Sequence, residues 1–398
     1  VSSNRFFESI RLNGFLSFAP DLPPFEMKPL NVIIGPNGSG KSNLIEAFEL
    51  LHATPVNFAA AIRDGGGPGE WIWKGAGGDR IARIDAVIRT APTIPLLRYK
   101  LAFTASAQRV EVIDEAIEEP APLLDGMPDV FFYYRFKEGK PVINVRDAAG
   151  GNDGRIRHLK RDSLPFDQSV LSQRKDPDLY PELTWTGIAF SEIRTFREWS
   201  FGRYGELRKP QQADDPSDQL RSDSRNLALV LNEIAHRKGK EIDGLIHRFL
   251  PRFQRLSTRI SGGTVQFYLH EEGLDEPIPA TRLSDGTIRF LAILAALHAP
   301  TPPRLLCVEE PEMGLHPDAM GLLAEMLVTA SQWMQIVVTT HSDALISAFG
   351  DHVGSVVVCE NNGQGTTLHR LEEDKLSHWL DKYRLGEIWR IGEIGGNP

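Results

Sequence analysis

The run Gly35-Pro36-Asn37-Gly38-Ser39-Gly40-Lys41-Ser42 restricts this chain more than any other stretch of it. It matches G-x-x-x-x-G-K-[ST] in full, and its flanks are the ones that motif needs. The apolar segment NVIIG leads in as a strand. KSNLIEAFELLHA follows with Leu44, Ile45, Phe48 and Leu51 at helical spacing. Glycines let the backbone N–H groups turn toward phosphates, and the helix N-terminus adds the positive end of its dipole. Lys41 is then placed to reach the outer phosphates, and the Ser42 hydroxyl to bind Mg2+.

Away from this loop the pattern divides. A glycine-rich break at 64–69 is followed, from Trp71 to about Arg146, by short alternating strands such as RIDAVIRT, RYKLAFTAS and DVFFYYRF, separated by Gly, Pro and Asp. Residues 147–225 are polar and turn-rich, and helices are predicted over 225–237 and 241–254. The second would turn Arg248, Arg252 and Arg255 outward. From 255 onward, apolar runs (TVQFYLHE, LLCVE, QIVVTT, SVVVCE) alternate with helices at 287–298, 318–331 and 342–349. Apolar strands between amphipathic helices imply a buried parallel sheet with helices on both faces. The expected fold is therefore α/β. Its core would be discontinuous (1–60 and 255–398), with an antiparallel β subdomain at 61–146 and a mostly helical or loop lobe inserted at 147–254.

Composition narrows the setting. Cys307 and Cys359 are the sole cysteines, lack metal-ligand spacing, and lie in apolar runs that suit buried reduced thiols. The longest apolar window, Phe290 to Leu297, falls far short of the roughly 20 residues of a membrane span, and the first residues carry no signal pattern. A cytoplasmic protein with no membrane contact is expected. The net charge is −9, yet residues 135–261 hold 24 basic against 18 acidic side chains. Such a basic middle either offers nucleic acid a positive face or is a set of solvated, locally paired helix faces.

Three further runs carry chemistry. Leu305-Leu306-Cys307-Val308-Glu309-Glu310 is an apolar strand ending in two carboxylates. Beside a phosphate loop, Glu309 would face the Mg2+ and Glu310 would polarise an attacking water. Leu283-Ser284-Asp285-Gly286-Thr287 opens an amphipathic helix, so the Ser284 hydroxyl and Gly286 N–H form either a second anion site, serving another subunit's nucleotide, or a plain N-cap turn. Val337-Val338-Thr339-Thr340-His341-Ser342 ends the next strand with a histidine, a γ-phosphate or water contact or else a structural residue.

Taken in order, these four elements resemble the Walker A, signature, Walker B with D-loop, and switch histidine of ABC-type ATPases. More narrowly they resemble the SMC/RecF-like branch, compact ATPases of DNA repair and anti-phage defence. The opening IRLNGFLSF, the helix SRNLALVLNEIA and the tail LGEIWRIGEIGGNP are similar to that branch as well; resemblance over 55–220 is thin. It implies ATP and Mg2+ as ligands, hydrolysis with Glu310 and His341 catalytic, and a homodimer closed on two ATP molecules through Ser284 and Gly286. It implies action on or near DNA, or else an ATP-controlled switch for a separate effector such as a nuclease. The 243-residue spacing of Lys41 and Ser284 disfavours a transporter subunit, and the absence of heptads there implies a short globular lobe rather than a coiled-coil arm. Two departures stand out: Glu309 replaces the usual Asp, and Asp285 and Thr287 replace a Gly and a Gln of the common signature. Gln173 is either the Mg2+-sensing glutamine or a surface residue. Arg11 is a nucleotide contact or an edge residue, and His316 a dimer-seam contact or a helix cap. Trp71, Trp73, Tyr133 and Tyr134 are base-stacking groups or core.

Overall fold

The computed structural model describes residues 5–76, 78–91, 94–122, 130–137, 139–145, 155–158, 165–197, 199, 201–202 and 204–396. They fall into two compact units, Val1–Asn31 with Gly35–Ile193 and Val357–Arg370, and Val32–Ile34 with Arg194–Val356 and Leu371–Pro398.

An eight-stranded antiparallel sheet dominates the first unit, in the order Phe25–Glu26, Phe7–Asn13, Ile81–Ile88, Leu97–Ser106, Arg109–Glu118, Phe132–Lys137, Lys140–Val145, Arg155–His158. Period-two burial sets its register: Ala82, Ile84, Ala86 and Ile88 all point to the core side of Ile81–Ile88. The helix Lys41–Ala53, which begins inside the phosphate loop, is pinned by aromatic contacts. Phe48 meets Phe7 edge-on at 5.0 Å, and Phe190 of the helix Pro181–Ser191 stacks on Phe7 at 6.2 Å. Buried rings of this size fix the helix on its neighbours and so fix where the loop ends.

The phosphate-loop strand Leu30–Ile34 follows Ile193–Phe196, Leu305–Glu309 and Gln335–Thr340 in sheet order, and Val356–Asn361 pairs antiparallel with Thr366–Arg370. Within the second unit, Leu305–Glu309 and Gln335–Thr340 run parallel, with Glu309 opposite Thr339. Both strands are buried along nearly their whole length, as expected of a sheet covered by helices. The helices Asp285–Leu297 and Met320–Ala330 supply much of the surrounding core. No described helix is long and apolar enough to cross a membrane.

Three local expectations differ. The helices read at 225–237 and 241–254 both lie within Leu227–Phe249, parted as expected where Lys238 leaves helical geometry next to Gly239. The second stops early because Phe253 already starts the strand Phe253–Ser261. Arg255 is therefore a strand residue, and Arg248, Arg252 and Arg255 share no helix face. TVQFYLHE is not part of the parallel sheet either. Thr264–Glu271 turns back antiparallel on Phe253–Ser261 through Gly262-Gly263, both at positive φ, in a two-residue hairpin. Third, the region read as polar turns holds the strand Arg155–His158 and the helix Pro181–Ser191.

Candidate active site

In the first unit, the phosphate loop is shaped by close approach. A Cβ on Gly35 would sit 2.1 Å from the Cys359 carbonyl oxygen. One on Gly40, at φ +104°, would sit 2.2 Å from the Thr366 hydroxyl. Only glycine fits either place. The loop's outer wall is braced from residues distant in sequence: Thr366 Oγ1 donates to the Ser39 carbonyl at 2.7 Å, and Cys359 Sγ donates to the same oxygen at 3.4 Å. Ser17 Oγ lies 2.6 Å from Thr366 Oγ1 and accepts from Asn43 at 2.7 Å. Lys41 is buried, with Nζ donating to the Gly35 and Pro36 carbonyls at 2.9 and 2.8 Å. Pro36, Asn37 and Gly38 form the outer turn. Ser39 Oγ is buried and has no hydrogen-bond partner among the described residues. Ser42 stands exposed at the helix start, where Gly40 provides no side-chain cap and the first turn holds no acid. A concave loop with an ammonium and uncapped helix N–H groups fits a phosphate chain.

The acidic strand end, in the second unit, is built just as tightly. Glu309 Oε2 lies 3.3 Å from Arg197 Nε, while its Oε1 is buried without a hydrogen-bond partner among the described residues. A carboxylate oxygen left over in this way is the kind of hard donor that suits a divalent cation. Glu310 adopts φ +43°, rare for a residue with a side chain, and its N–H donates to the Thr339 carbonyl at 3.0 Å. That backbone turns its carboxylate to His341, Oε1 to Nε2 at 3.5 Å. Strain of this kind concentrates at functional sites.

Glu312, which sequence reasoning passed over, fastens the two strand ends together. It accepts from the Thr340 hydroxyl and from the His341 N–H at 3.2 Å, and burial holds its carboxyl above the usual range despite those hydrogen bonds. Arg289, from the helix Asp285–Leu297, donates to the Glu310 and Met313 carbonyls and lies 4.4 Å over the Phe201 ring. Burial lowers its pKa. The spacing Glu309-Glu310-x-Glu312 was the one signal that could have pointed to Glu312.

At the signature turn, Ser284 caps its helix, its Oγ accepting from Thr287 N at 3.0 Å and lying 2.8 Å from Thr287 Oγ1. Gly286 packs against the loop after the acids: a Cβ there would meet the Gly314 carbonyl at 2.7 Å. The buried Arg208 pairs with Asp285 and donates to the Phe201 and Ala280 carbonyls at 3.0 and 3.2 Å.

The remaining candidates are less engaged. Gln173 ends the short helix Val170–Gln173 and donates to Ser172 Oγ at 3.0 Å. His316 is an exposed cap accepting from Asp318 N at 3.3 Å. Arg11 sits opposite Asp85 in the antiparallel sheet. Trp71 and Tyr134 are core, so the base-stacking reading loses these two groups, while the half-buried Tyr133 donates its hydroxyl to Glu119. Both cysteines are buried, and neither is in a disulfide.

In fold, the chain is similar to the SMC head bound to the C-terminal winged-helix domain of ScpA (TM-score 0.57, 12% identity, covering 93% of this chain and 99% of that one). It is also similar to the SMC head with an extended coiled coil bound to the C-terminal domain of ScpA, from Pyrococcus furiosus (TM-score 0.56, 12% identity, 95% and 99% covered). No curated protein matches it in sequence. The family model described as "AAA domain, putative AbiEii toxin, Type IV TA system" matches residues 30–347, from the phosphate-loop strand to just beyond His341. The chain therefore belongs to that AAA-domain family and has the fold of the SMC heads.

Proposed function

We propose that this chain is a Mg2+-dependent ATPase that closes as a homodimer on two ATP molecules and works on or near DNA, in repair or anti-phage defence. The observation that carries the reading is the strained Glu310, held against His341 one residue after a carboxylate with an unspent oxygen. Lys41 and the loop N–H groups bind the phosphates. Ser42 and Glu309 would hold the Mg2+, with Gln173 a third candidate, and the ion would supply positive charge beside the phosphates. Glu310 takes the proton of the attacking water, and His341 orients that water and the leaving phosphate. Ser284 and Gly286 receive the partner subunit's nucleotide. A cytoplasmic setting is supported by two buried cysteines that form no disulfide.

A second reading, an ATP-controlled switch for a separate effector such as a nuclease, is favoured by two observations. Arg248, one of the residues on which DNA contact rested, is already engaged by Glu325. The matched family's description names a toxin of a toxin–antitoxin system.

Hydrolysis and sedimentation test the common part of both readings. Lys41→Ala should lose ATP binding. Glu310→Gln should bind ATP, turn over at least about a hundredfold more slowly, and sediment as a dimer with ATP. Ser284→Arg should block that dimer while leaving nucleotide affinity intact. Unimpaired turnover by Glu310→Gln would remove Glu310 from the chemistry, and an oligomer indifferent to ATP would remove the sandwich.

A further inference from the structure

A cavity of about 190 Å3 opens in the second unit where the helix Leu227–Phe249 bends at Lys238. Ile234, Pro300 and Trp333 give it apolar walls, while Arg237 and Lys238 stand at its mouth. Lys238 Nζ lies 5.1 Å from the Trp333 ring centre, and Arg237 pairs with Glu233 at 2.7 Å. His298, only 3% exposed, lines the cavity from the end of the helix Asp285–Leu297. Neither ring nitrogen has a hydrogen-bond partner among the described residues; the carboxylate oxygen Oε1 of Glu241 is 3.6 Å from Nδ1. Burial, reinforced by the Lys238 charge, pushes the imidazole down to about 4, so at neutral pH it is uncharged, with one nitrogen donating and the other accepting.

These features select a ligand. A cavity of about 150 Å3 admits benzene, so this one takes one planar ring system and excludes a whole nucleotide. Apolar walls suit the ring. A buried imidazole with both nitrogens unspent calls for a ring edge bearing donors and acceptors, which a phenyl group lacks. Cations at the mouth suit an anionic substituent left outside. We propose that the cavity binds the base of a nucleotide, with the base edge on His298 and the phosphate at Lys238, independently of the phosphate loop. The source is either a free mononucleotide or the terminal nucleotide of a single strand.

The test uses the full chain carrying Lys41→Ala, which silences the phosphate loop. AMP, GMP, CMP, UMP and a 5′-phosphorylated octanucleotide are titrated by calorimetry, with benzoate as a ring lacking the base edge. Saturable binding of mononucleotides, or of the octanucleotide alone, supports the site and identifies its source. His298→Leu should weaken that binding at least about tenfold and also raise the melting temperature, because an unpartnered buried polar group is removed. Lys238→Glu should weaken it about tenfold with no change in melting, and, in an otherwise wild-type chain, leave ATP hydrolysis unchanged. No saturable binding by about 10 mM, binding unaltered in both variants, or benzoate binding as tightly as the nucleotides would each overturn the proposal. None of these results bears on hydrolysis at the phosphate loop.

Discussion

The exposed carboxylate of Asp285 pairs with the buried guanidinium of Arg208, 77 residues earlier in the chain. Arg208 is 4% exposed, and its other donors reach the Phe201, Ala280 and Leu283 carbonyls. One side chain thus ties the segment before the signature to the signature turn itself. Asp285, a departure from the usual glycine, gives that buried cation its only carboxylate among the ion pairs of the described residues. The turn is stiffened from beneath while Ser284 stays at the surface.

Asp285→Ala should therefore destabilise the chain, because a buried charged donor loses its partner, at a cost of about 1–3 kcal/mol. The melting temperature should fall by several degrees, and affinity of isolated subunits for ATP should not change. Urea and thermal denaturation of Asp285→Ala beside the parent chain decide this. Identical midpoints would mean that the three carbonyls satisfy Arg208 unaided.

This pair also marks the limit of what the sequence discloses. Gly35–Ser42, Glu309-Glu310, Ser284–Thr287 and His341 were legible because each sits in a contiguous run whose chemistry needs neighbours along the chain. Arg208, Arg289 and Thr366 were not, since each meets its partner across 21 or more residues, as Arg289 does with Glu310 and Thr366 with Ser39 across 327. Distance along the chain hides such contacts. The parallel strands were legible from unbroken apolar runs. TVQFYLHE, with the same apolar look, was drawn into an antiparallel hairpin by Gly262-Gly263, whose turn chemistry outweighed position in the α/β alternation.

Glu312 gives a prediction that separates binding from turnover. Its carboxylate holds Thr340 and the His341 backbone, so Glu312→Ala should let His341 drift from Glu310. We expect kcat to drop by about tenfold or more with little change in KM, as a misplaced catalytic group costs turnover rather than affinity. Glu312→Gln keeps an accepting oxygen and should restore most of the loss. Equal defects in both variants would argue for a direct role of the charge.

The fully buried Glu115 predicts a pH profile of stability. It accepts from the Tyr99 hydroxyl at 2.8 Å, from Ser169 Oγ and from the Val170 N–H at 2.9 Å, yet burial pushes its carboxyl up to about 7. From about 4.5 to 7 the folded chain keeps a proton that the unfolded chain has released. Stability should fall as pH rises through that window, by on the order of 3 kcal/mol in all, and then level off. Glu115→Gln cannot ionise and should remove this part of the decline, leaving the variant relatively more stable at pH 8 than at pH 5. Urea midpoints for both chains that run parallel across the window would show that Glu115 does not carry it.

The arginines at the end of the long helix now make unequal predictions about DNA. Arg248 is held by both oxygens of Glu325, at 2.8 and 2.6 Å. Arg252 instead donates to the Glu272 carbonyl at 2.8 Å and stands 3.9 Å from the Glu271 carboxylate, so its charge is offset far less. Arg255 lies beyond the helix, on the strand Phe253–Ser261. If this surface contacts phosphates, Arg248→Ala should change affinity little, since Glu325 already offsets that charge. Glu325→Ala should tighten binding by releasing it. Replacing Arg252 and Arg255 together by glutamate should weaken binding about tenfold or more and reduce the salt dependence by about 0.9 log units for each phosphate no longer neutralised. Anisotropy titrations with single- and double-stranded DNA, with ATP present, at about 50–200 mM salt measure all three effects. Absence of any affinity at the low end would take DNA out of the proposed function and leave the effector switch, because no other arrangement of these charges would then need a nucleic acid to explain it.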